Sequence, residues 1–306
     1  MLDTKKIKIS VVTVCKDADK FIEKAIQSVT NQSYQNLEYI IIDGKSKDCT
    51  IKIIEKYLDR ITKFVSDSDS GIYSAMNKGI RYSTGNFICF LNADDYFVDD
   101  DVITDIANYI KQNPSSDFIY GDLEVRYPSG RLIRVNPPTP ENVLDELVCG
   151  CLPHQASFAK AELFFSTIGF FNENYKISSD YEWFLRLTQN ETVKLSYYPR
   201  LISSYYSGGL SSRIKTSVTE SYHIQNKHPL YQTPYWMKRR ILKYQEFVVN
   251  LRQWLADIEE SRDDIKQQYL GLEKRYKNLK QDNQQLRQKL NMISNHMIDK
   301  KNKDRK

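Results

Sequence analysis

Phe87-Ile88-Cys89-Phe90-Leu91-Asn92-Ala93-Asp94-Asp95 runs from five consecutive apolar residues directly into an acidic doublet. An unbroken apolar run of this length reads as a strand covered on both faces, the kind found in parallel sheets. Two adjacent carboxylates leaving such a strand cannot both stay buried unpaired, so they reach solvent, a partner or a cation. Mg²⁺ and Mn²⁺ accept such oxygen ligands together with phosphate, and open α/β sheets bind ligands beyond the carboxyl ends of their strands. An acidic pair after a strand also serves as a turn or helix cap, so the doublet needs company.

Working outward, the alternation of strand and helix is regular. Ile7 to Cys15 is a nearly continuous β-branched run, and Phe21, Ala25, Ile26 and Val29 then recur at helical spacing between Ala18 and Thr30. Strand Leu37–Ile42, helix Ile51–Leu58, strand Phe64–Val65 and helix Ile72–Arg81 lead to the opening strand. Helix Val102–Gln112 and strand Phe118–Tyr120 follow it. Strands alternating with helices imply a doubly wound, mostly parallel sheet with helices on both faces. Beyond Gly121 the texture becomes mixed. Leu123–Tyr127 and Leu132–Val135 flank the turn Pro128-Ser129-Gly130, Thr139 and Pro140 open a helix over Glu141–Val148, and Ser178 and Ser179 precede another over Tyr181–Thr188. Strands Val193–Tyr198 and Leu201–Tyr206 close this part.

The tail has a different period. From Ile241 through Tyr244, Val248, Leu251, Leu255, Ile258, Arg262, Ile265, Tyr269, Leu272, Tyr276, Leu279, Asn283, Leu286, Leu290 and Ile293 to Met297, steps of three and four alternate. That is about eight heptads, or a helix of roughly 85 Å. Leucines at d and Asn283 at an a position favour a parallel homodimer, while Arg262 at an a position weakens the seam locally. A long amphipathic helix folded back on the first part is the other reading. The net charge of +5 hides an asymmetry of −3 over residues 1–234 and +8 over the last 72. Basic runs with interleaved aromatics are absent, which argues against a nucleic-acid partner.

Two further segments supply the company. Asp43-Gly44-Lys45-Ser46-Lys47-Asp48-Cys49-Thr50 places an acid at a strand end before a capping loop. Asp69-Ser70-Gly71-Ile72-Tyr73-Ser74-Ala75-Met76-Asn77-Lys78-Gly79 opens a helix whose backbone donors and Lys78 suit phosphate or ribose. With the first strand ending Val12-Thr13-Val14 and the doublet Asp94-Asp95, this ordered set resembles the family 2 glycosyltransferases of GT-A fold, over roughly Lys8 to Ser212. The resemblance implies a GT-A domain over residues 1–234, and the heptad period makes 235–306 a helical linker with coiled coil. It puts Thr13 and Asp43 near the nucleotide base, Lys78 and Asn92 near ribose or phosphate, and Asp94 at the metal-binding acid of the Asp-x-Asp motif. Asn92 stands where many relatives have the first Asp, which lowers the charge of the site.

Ser178-Ser179-Asp180-Tyr181-Glu182-Trp183 is similar to the family's acid-rich helix start, which implies Asp180 as general base with Glu182 as its rival. By resemblance His154 lies near the acceptor or diphosphate, and Tyr206-Ser207-Gly208-Gly209-Leu210-Ser211 is similar to a loop closing over donor phosphates, where Gly208 and Gly209 allow close approach. The implied activity is inverting transfer of a sugar from a nucleotide-diphosphate donor, a UDP-sugar by preference, to an acceptor hydroxyl with Mn²⁺ or Mg²⁺. The acceptor would be a saccharide or lipid-linked saccharide of cell-surface polysaccharide or glycolipid synthesis. A noncatalytic nucleotide-sugar-binding scaffold explains the tail equally well but needs no acid at both Asp94 and Asp180. A sugar nucleotidyltransferase would need an early Gly-rich phosphate loop, and none is present.

Five cysteines, an odd number, read as reduced thiols of a cytoplasmic protein, with Cys149 and Cys151 as small core residues. With no apolar run of about 18 residues, a membrane span is not expected. Aromatic and basic residues between Pro234 and Trp254 suit peripheral contact with the inner face of the cell membrane.

Overall fold

The computed structural model describes residues 7–303, and side chains for these except 211 and 289–303. Two compact units divide the chain, Met1–Ile241 and Leu242–Lys306. The first is built on a sheet of nine strands among the described residues. Strands β1 (Ile9–Cys15), β2 (Leu37–Asp43), β3 (Lys63–Ser66) and β4 (Phe87–Phe90) alternate with helices α1 (Ile22–Thr30), α2 (Thr50–Glu55) and α3 (Ile72–Tyr82). The two-residue β5 (Tyr96–Phe97) and helix α4 (Val102–Gln112) lead to β6 (Phe118–Arg126), β7 (Leu132–Val135), α5 (Val143–Glu146) and β8 (Ser157–Lys160). Helix α6 (Ser179–Thr188), β9 (Leu195–Tyr206), α7 (Ile214–Lys227), α8 (Pro229–Gln232) and α9 (Pro234–Lys303) complete the chain.

The order β3-β2-β1-β4-β8-β6-β9-β5, with β7 beside β6, makes a parallel half and a mixed half. β1 pairs parallel with β2 and β4, and β2 with β3, whereas β8 runs antiparallel between β4 and β6. Period-two alternation sends β1 side chains to opposite faces. Ile9 and Val11 join the core formed with Ile22, Ile26 and Val29 of α1 and with α4, while Val12 meets Gly79 of α3 so closely that a Cβ there would lie 2.3 Å from its methyl. On the α3 side, Trp183 of α6 stacks on Phe164 at 4.8 Å and approaches Phe171 at 5.9 Å. Each fully buried side chain of this kind contributes roughly 1.5–3 kcal/mol.

Two expected strands near the end of the first part are a single strand. β9 pairs parallel with β6 from Leu195 to Tyr206, and the register skips from Gly121–Tyr198 to Asp122–Leu201, leaving Pro199 and Arg200 in a bulge. Pro199 cannot donate to a ladder, so the strand continues only by looping past it. Gly121 accepts that loop, since a Cβ there would stand 2.8 Å from the carbonyls of Tyr198 and Arg200. Strand β8 and helix α7 were not expected from the sequence. The helix expected over Glu141–Val148 is shorter, a 3-10 turn at Pro140–Asn142 followed by α5.

Among the described residues, no helix is long and apolar enough to cross a membrane. The second unit consists of the continuation of α9. Its apolar heptad positions are open, Ile265 being 66% and Tyr269 67% exposed. Leu290, Ile293 and Met297 of the expected seam lie outside the residues whose side chains are described.

Candidate active site

The carboxyl ends of β1 and β4 open into a cavity of about 390 Å³. The tip of β1 contributes Val14 and Cys15, the turn after β4 contributes Asn92 and Asp94, and α6 contributes Asp180 at its first turn. His154, Tyr73 and Gly209 complete the wall relevant to chemistry. A second cavity of about 580 Å³ shares Lys16, Asp17, Ile72 and Leu210 with the first and adds Asp69 and Arg213, so the cleft continues across the sheet edge.

The acidic doublet divides. Asp94 is half-buried and faces the cavity. Burial raises its carboxyl above the ordinary value, against the lowering influence of its own backbone, Arg126 and His154. Asp95 is buried, accepts the Tyr206 N–H at 2.9 Å and lies outside the cavity wall. Burial, and then the charge of Asp94, push its carboxyl well above the carboxylate range. Arg126, on β6, donates to the Asp94 carbonyl at 2.7 Å and to the Ser204 hydroxyl at 2.8 Å, with its guanidinium 4.4 Å from the Tyr96 ring centre. Gly209 lies against the acid itself, since a Cβ there would be 2.5 Å from Asp94 Oδ2.

Across the cleft, Asp180 Oδ1 accepts from the Tyr73 hydroxyl and the Tyr181 N–H, both at 2.9 Å, and Oδ2 lies 2.9 Å from His154 Nδ1. Burial alone would raise the Asp180 carboxyl, but these donors, His154 foremost, hold it below its ordinary value. His154 Nε2 is 3.1 Å from Asn92 Nδ2. Glu182 faces elsewhere, in a two-point ion pair with Arg186 at 2.9 and 3.0 Å.

Thus Asn92, Asp94, His154, Asp180 and Gly209 share one cavity, while Thr13, Asp43, Lys78, Glu182 and Gly208 are not in its wall. Thr13 is fully buried, its hydroxyl 3.1 Å from that of Tyr39. Asp43 is also fully buried and accepts from the Ser46 hydroxyl and N–H and from the Ser66 hydroxyl, the pattern of a structural turn acid. Lys78 donates to the Ser68 carbonyl at 2.9 Å and pairs with Asp67. Gly208 would bring a Cβ within 2.6 Å of the Tyr206 ring. Cys149 and Cys151 are exposed and not core residues, with Cys151 on the cavity wall. Tyr73, on the cavity wall beside Asp180, and Arg126, bonded to the Asp94 carbonyl, were not among the expected site residues. The helix-start motif containing Tyr73 was recognised, but nothing local in the sequence singles out an arginine at the end of β6.

No group of three or more His, Cys, Asp or Glu able to hold a metal occurs among the described residues. The donors present are the Asp94 carboxylate and Asn92 Oδ1, which is buried without a hydrogen-bond partner. One carboxylate with neutral oxygens suits Mg²⁺ or Mn²⁺ completed by substrate phosphates, since such ions are commonly held by one or two carboxylates and the substrate.

The sheet, with its parallel half and mixed half between helices, is of the GT-A class. The profile of the Glycosyl transferase family 2 matches residues 10–160. A PGL/p-HBAD biosynthesis glycosyltransferase of Mycobacterium bovis is 30% identical over 198 residues, covering 62% of this chain and 73% of the relative. The chain therefore belongs to glycosyltransferase family 2. An uncharacterized glycosyltransferase of Haemophilus influenzae is 35% identical over 108 residues, 34% of this chain and 43% of the relative. Among solved structures, S. aureus TarS 1-349 in complex with UDP-GlcNAc is similar with a TM-score of 0.59 at 18% identity, over 72% of this chain and 64% of that one. The mannosyltransferase PcManGT from Pyrobaculum calidifontis, in complex with GDP-Man and Mn²⁺, gives 0.50 at 16% identity, over 66% and 58%.

Proposed function

We propose that the protein is an inverting glycosyltransferase that moves a sugar from a nucleotide-diphosphate donor, a UDP-sugar by preference, to an acceptor hydroxyl. The observation that carries this reading is that Asp94 and Asp180 line one cavity. Asp180 takes the acceptor proton as the hydroxyl oxygen attacks the anomeric carbon. The bond to the diphosphate breaks on the opposite face, and its electron pair leaves with the nucleotide. Asp94 would hold a divalent cation, which when bound supplies neutralisation of charge on the departing diphosphate. Glu182 is committed to Arg186, which leaves Asp180 as the acid available to the acceptor. A noncatalytic scaffold gives no reason for both acids to face the same space.

Support for a nucleotide-sugar donor comes from the ligands of the two similar solved structures, UDP-GlcNAc and GDP-Man with Mn²⁺. The acceptor in this reading is a saccharide or lipid-linked saccharide of surface polysaccharide or glycolipid synthesis, met at the inner face of the cell membrane. The α9 seam joins two copies in a parallel coiled coil. The test is to follow UDP release from UDP-sugars with Mn²⁺, with and without candidate acceptors. Asp180→Asn is expected to retain donor binding and lose about 10²–10⁴-fold in transfer, the usual share of general-base catalysis. Turnover comparable to the parent would remove Asp180 from this role.

A further inference from the structure

We propose that His154 is a positioning residue for transfer: its Nδ1–H holds Asp180 Oδ2 toward the acceptor, and Asn92 fixes which ring nitrogen carries the proton. This rests on Asp180 being the base. An ionised carboxylate only accepts hydrogen bonds, so the 2.9 Å contact between Nδ1 and Oδ2 requires the proton on Nδ1. A neutral imidazole has a single N–H, so Nε2 is left as an acceptor, and the Asn92 amide 3.1 Å away donates to it. The chain of donation runs Asn92 to His154 to Asp180.

The arrangement also selects the reacting oxygen. Oδ1 accepts the Tyr181 N–H and lies 2.9 Å from the Tyr73 hydroxyl, whose one proton it shares with the Ile177 carbonyl, so it is crowded from two sides. Among the described residues Oδ2 receives His154 alone, and an ionised carboxylate has about four acceptor positions over its two oxygens. The less crowded oxygen is Oδ2, so the acceptor hydroxyl meets the oxygen that His154 orients. With both oxygens hydrogen-bonded, the carboxylate is held against rotating away from the cleft.

The same logic explains Asn92. An aspartate there would be acceptor-only, and facing Nε2 it would require a proton on that nitrogen as well, hence a charged ring. The amide can donate to Nε2 instead. Its Nδ2 is engaged by His154 while Oδ1 remains buried without a partner beside the Asp94 end of the cleft.

Two amide substitutions separate this role from simple packing. The side-chain nitrogen of Asn lies as far from Cβ as Nδ1 does, and that of Gln as far as Nε2. His154→Asn therefore keeps the donor to Asp180, and His154→Gln removes it. We expect His154→Gln to lower kcat by about 10–100-fold, the range seen when an orienting hydrogen bond is removed, with the donor KM within about twofold of the parent. His154→Asn is expected to recover most of that loss. Long-range ¹H–¹⁵N NMR of the unsubstituted protein should find the proton on Nδ1 and Nε2 bare, a readout that needs no variant to fold. Equal kcat in the Asn and Gln variants, or a proton on Nε2, overturns the proposal. If Asp180→Asn turns over like the parent, the base assignment itself has failed. An inactive Asp180→Asn with indistinguishable His154 variants removes the positioning role alone.

Discussion

Asp94 and Asp180 share a cavity, yet their environments push them in opposite directions, one carboxyl raised by burial and the other lowered by three donors. Such separation gives two carboxylates different tasks in one site. The sign for stability follows. A carboxyl whose folded pKa exceeds its unfolded value binds protons more tightly when folded, so its contribution to stability falls as pH rises from the unfolded value, about 3.9, through the folded one, and stays lost above. Asp94→Asn removes that penalty in nearly the same volume. With chelator present and no donor, it should melt at or above the parent temperature at neutral pH, by up to about 2–4 °C, and less so near pH 3.5. Its UDP release should nevertheless collapse. A lower melting temperature at neutral pH would show that the Asp94 charge supports the fold. At this scale the sequence motifs led to two acids, Asp94 and Asp180, that line one cavity. Thr13 and Asp43 illustrate the limit. Their letters fit the motif, but alternation along β1 and the turn after β2 send both side chains into the protein, which spacing alone does not reveal.

Elements other than the sheet hold Asp180 in place. Glu220 on α7 accepts the N–H groups of Lys176, Ile177 and Ser178 at 2.9, 2.9 and 3.0 Å, and these residues lead directly into α6 and Asp180. Tyr73 at the start of α3 bonds the Ile177 carbonyl from the other side. Removing the Glu220 carboxylate strands donors that would otherwise be satisfied, at a cost of about 1–3 kcal/mol. Glu220→Ala should therefore lower the urea midpoint by that equivalent and reduce transfer more than donor binding. An unchanged midpoint would mean that water replaces the carboxylate without loss. The parallel half of the sheet was legible because its strands are long apolar runs. Strand β8 was not, because Ser157-Phe158-Ala159-Lys160 is short and gains its place from neighbours on both sides. Helix α7 escaped notice because its outward side keeps Ile214 and Val218 exposed, so apolar residues do not mark a single buried stripe.

On the scale of the whole molecule, the second unit presents apolar heptad positions to solvent over most of its described length, Leu272 being 62% and Leu279 64% exposed. An isolated helix with such a seam is unstable in water unless another helix covers it. We expect the full chain to sediment as a dimer at micromolar concentration and the double variant Leu272→Glu, Leu279→Glu as a monomer. A monomeric parent would leave the seam to some other cover. The heptad pattern was the most legible feature of the tail because it depends on period alone. The orientation and number of chains depend on contacts between copies, which a single chain does not contain.

The acidic doublet also looks different once its second member is located. Asp95 turns inward and clasps the returning chain at Tyr206, and its environment favours the protonated form. With Asn92 neutral and Asp95 outside the wall, a diphosphate bound as proposed would meet one carboxylate of the doublet, Asp94, instead of the pair suggested by adjacent letters. Repulsion of the proposed anionic donor would be correspondingly mild, and the chain leading to Gly209 is anchored at Tyr206 by an acid that lies outside the cavity wall.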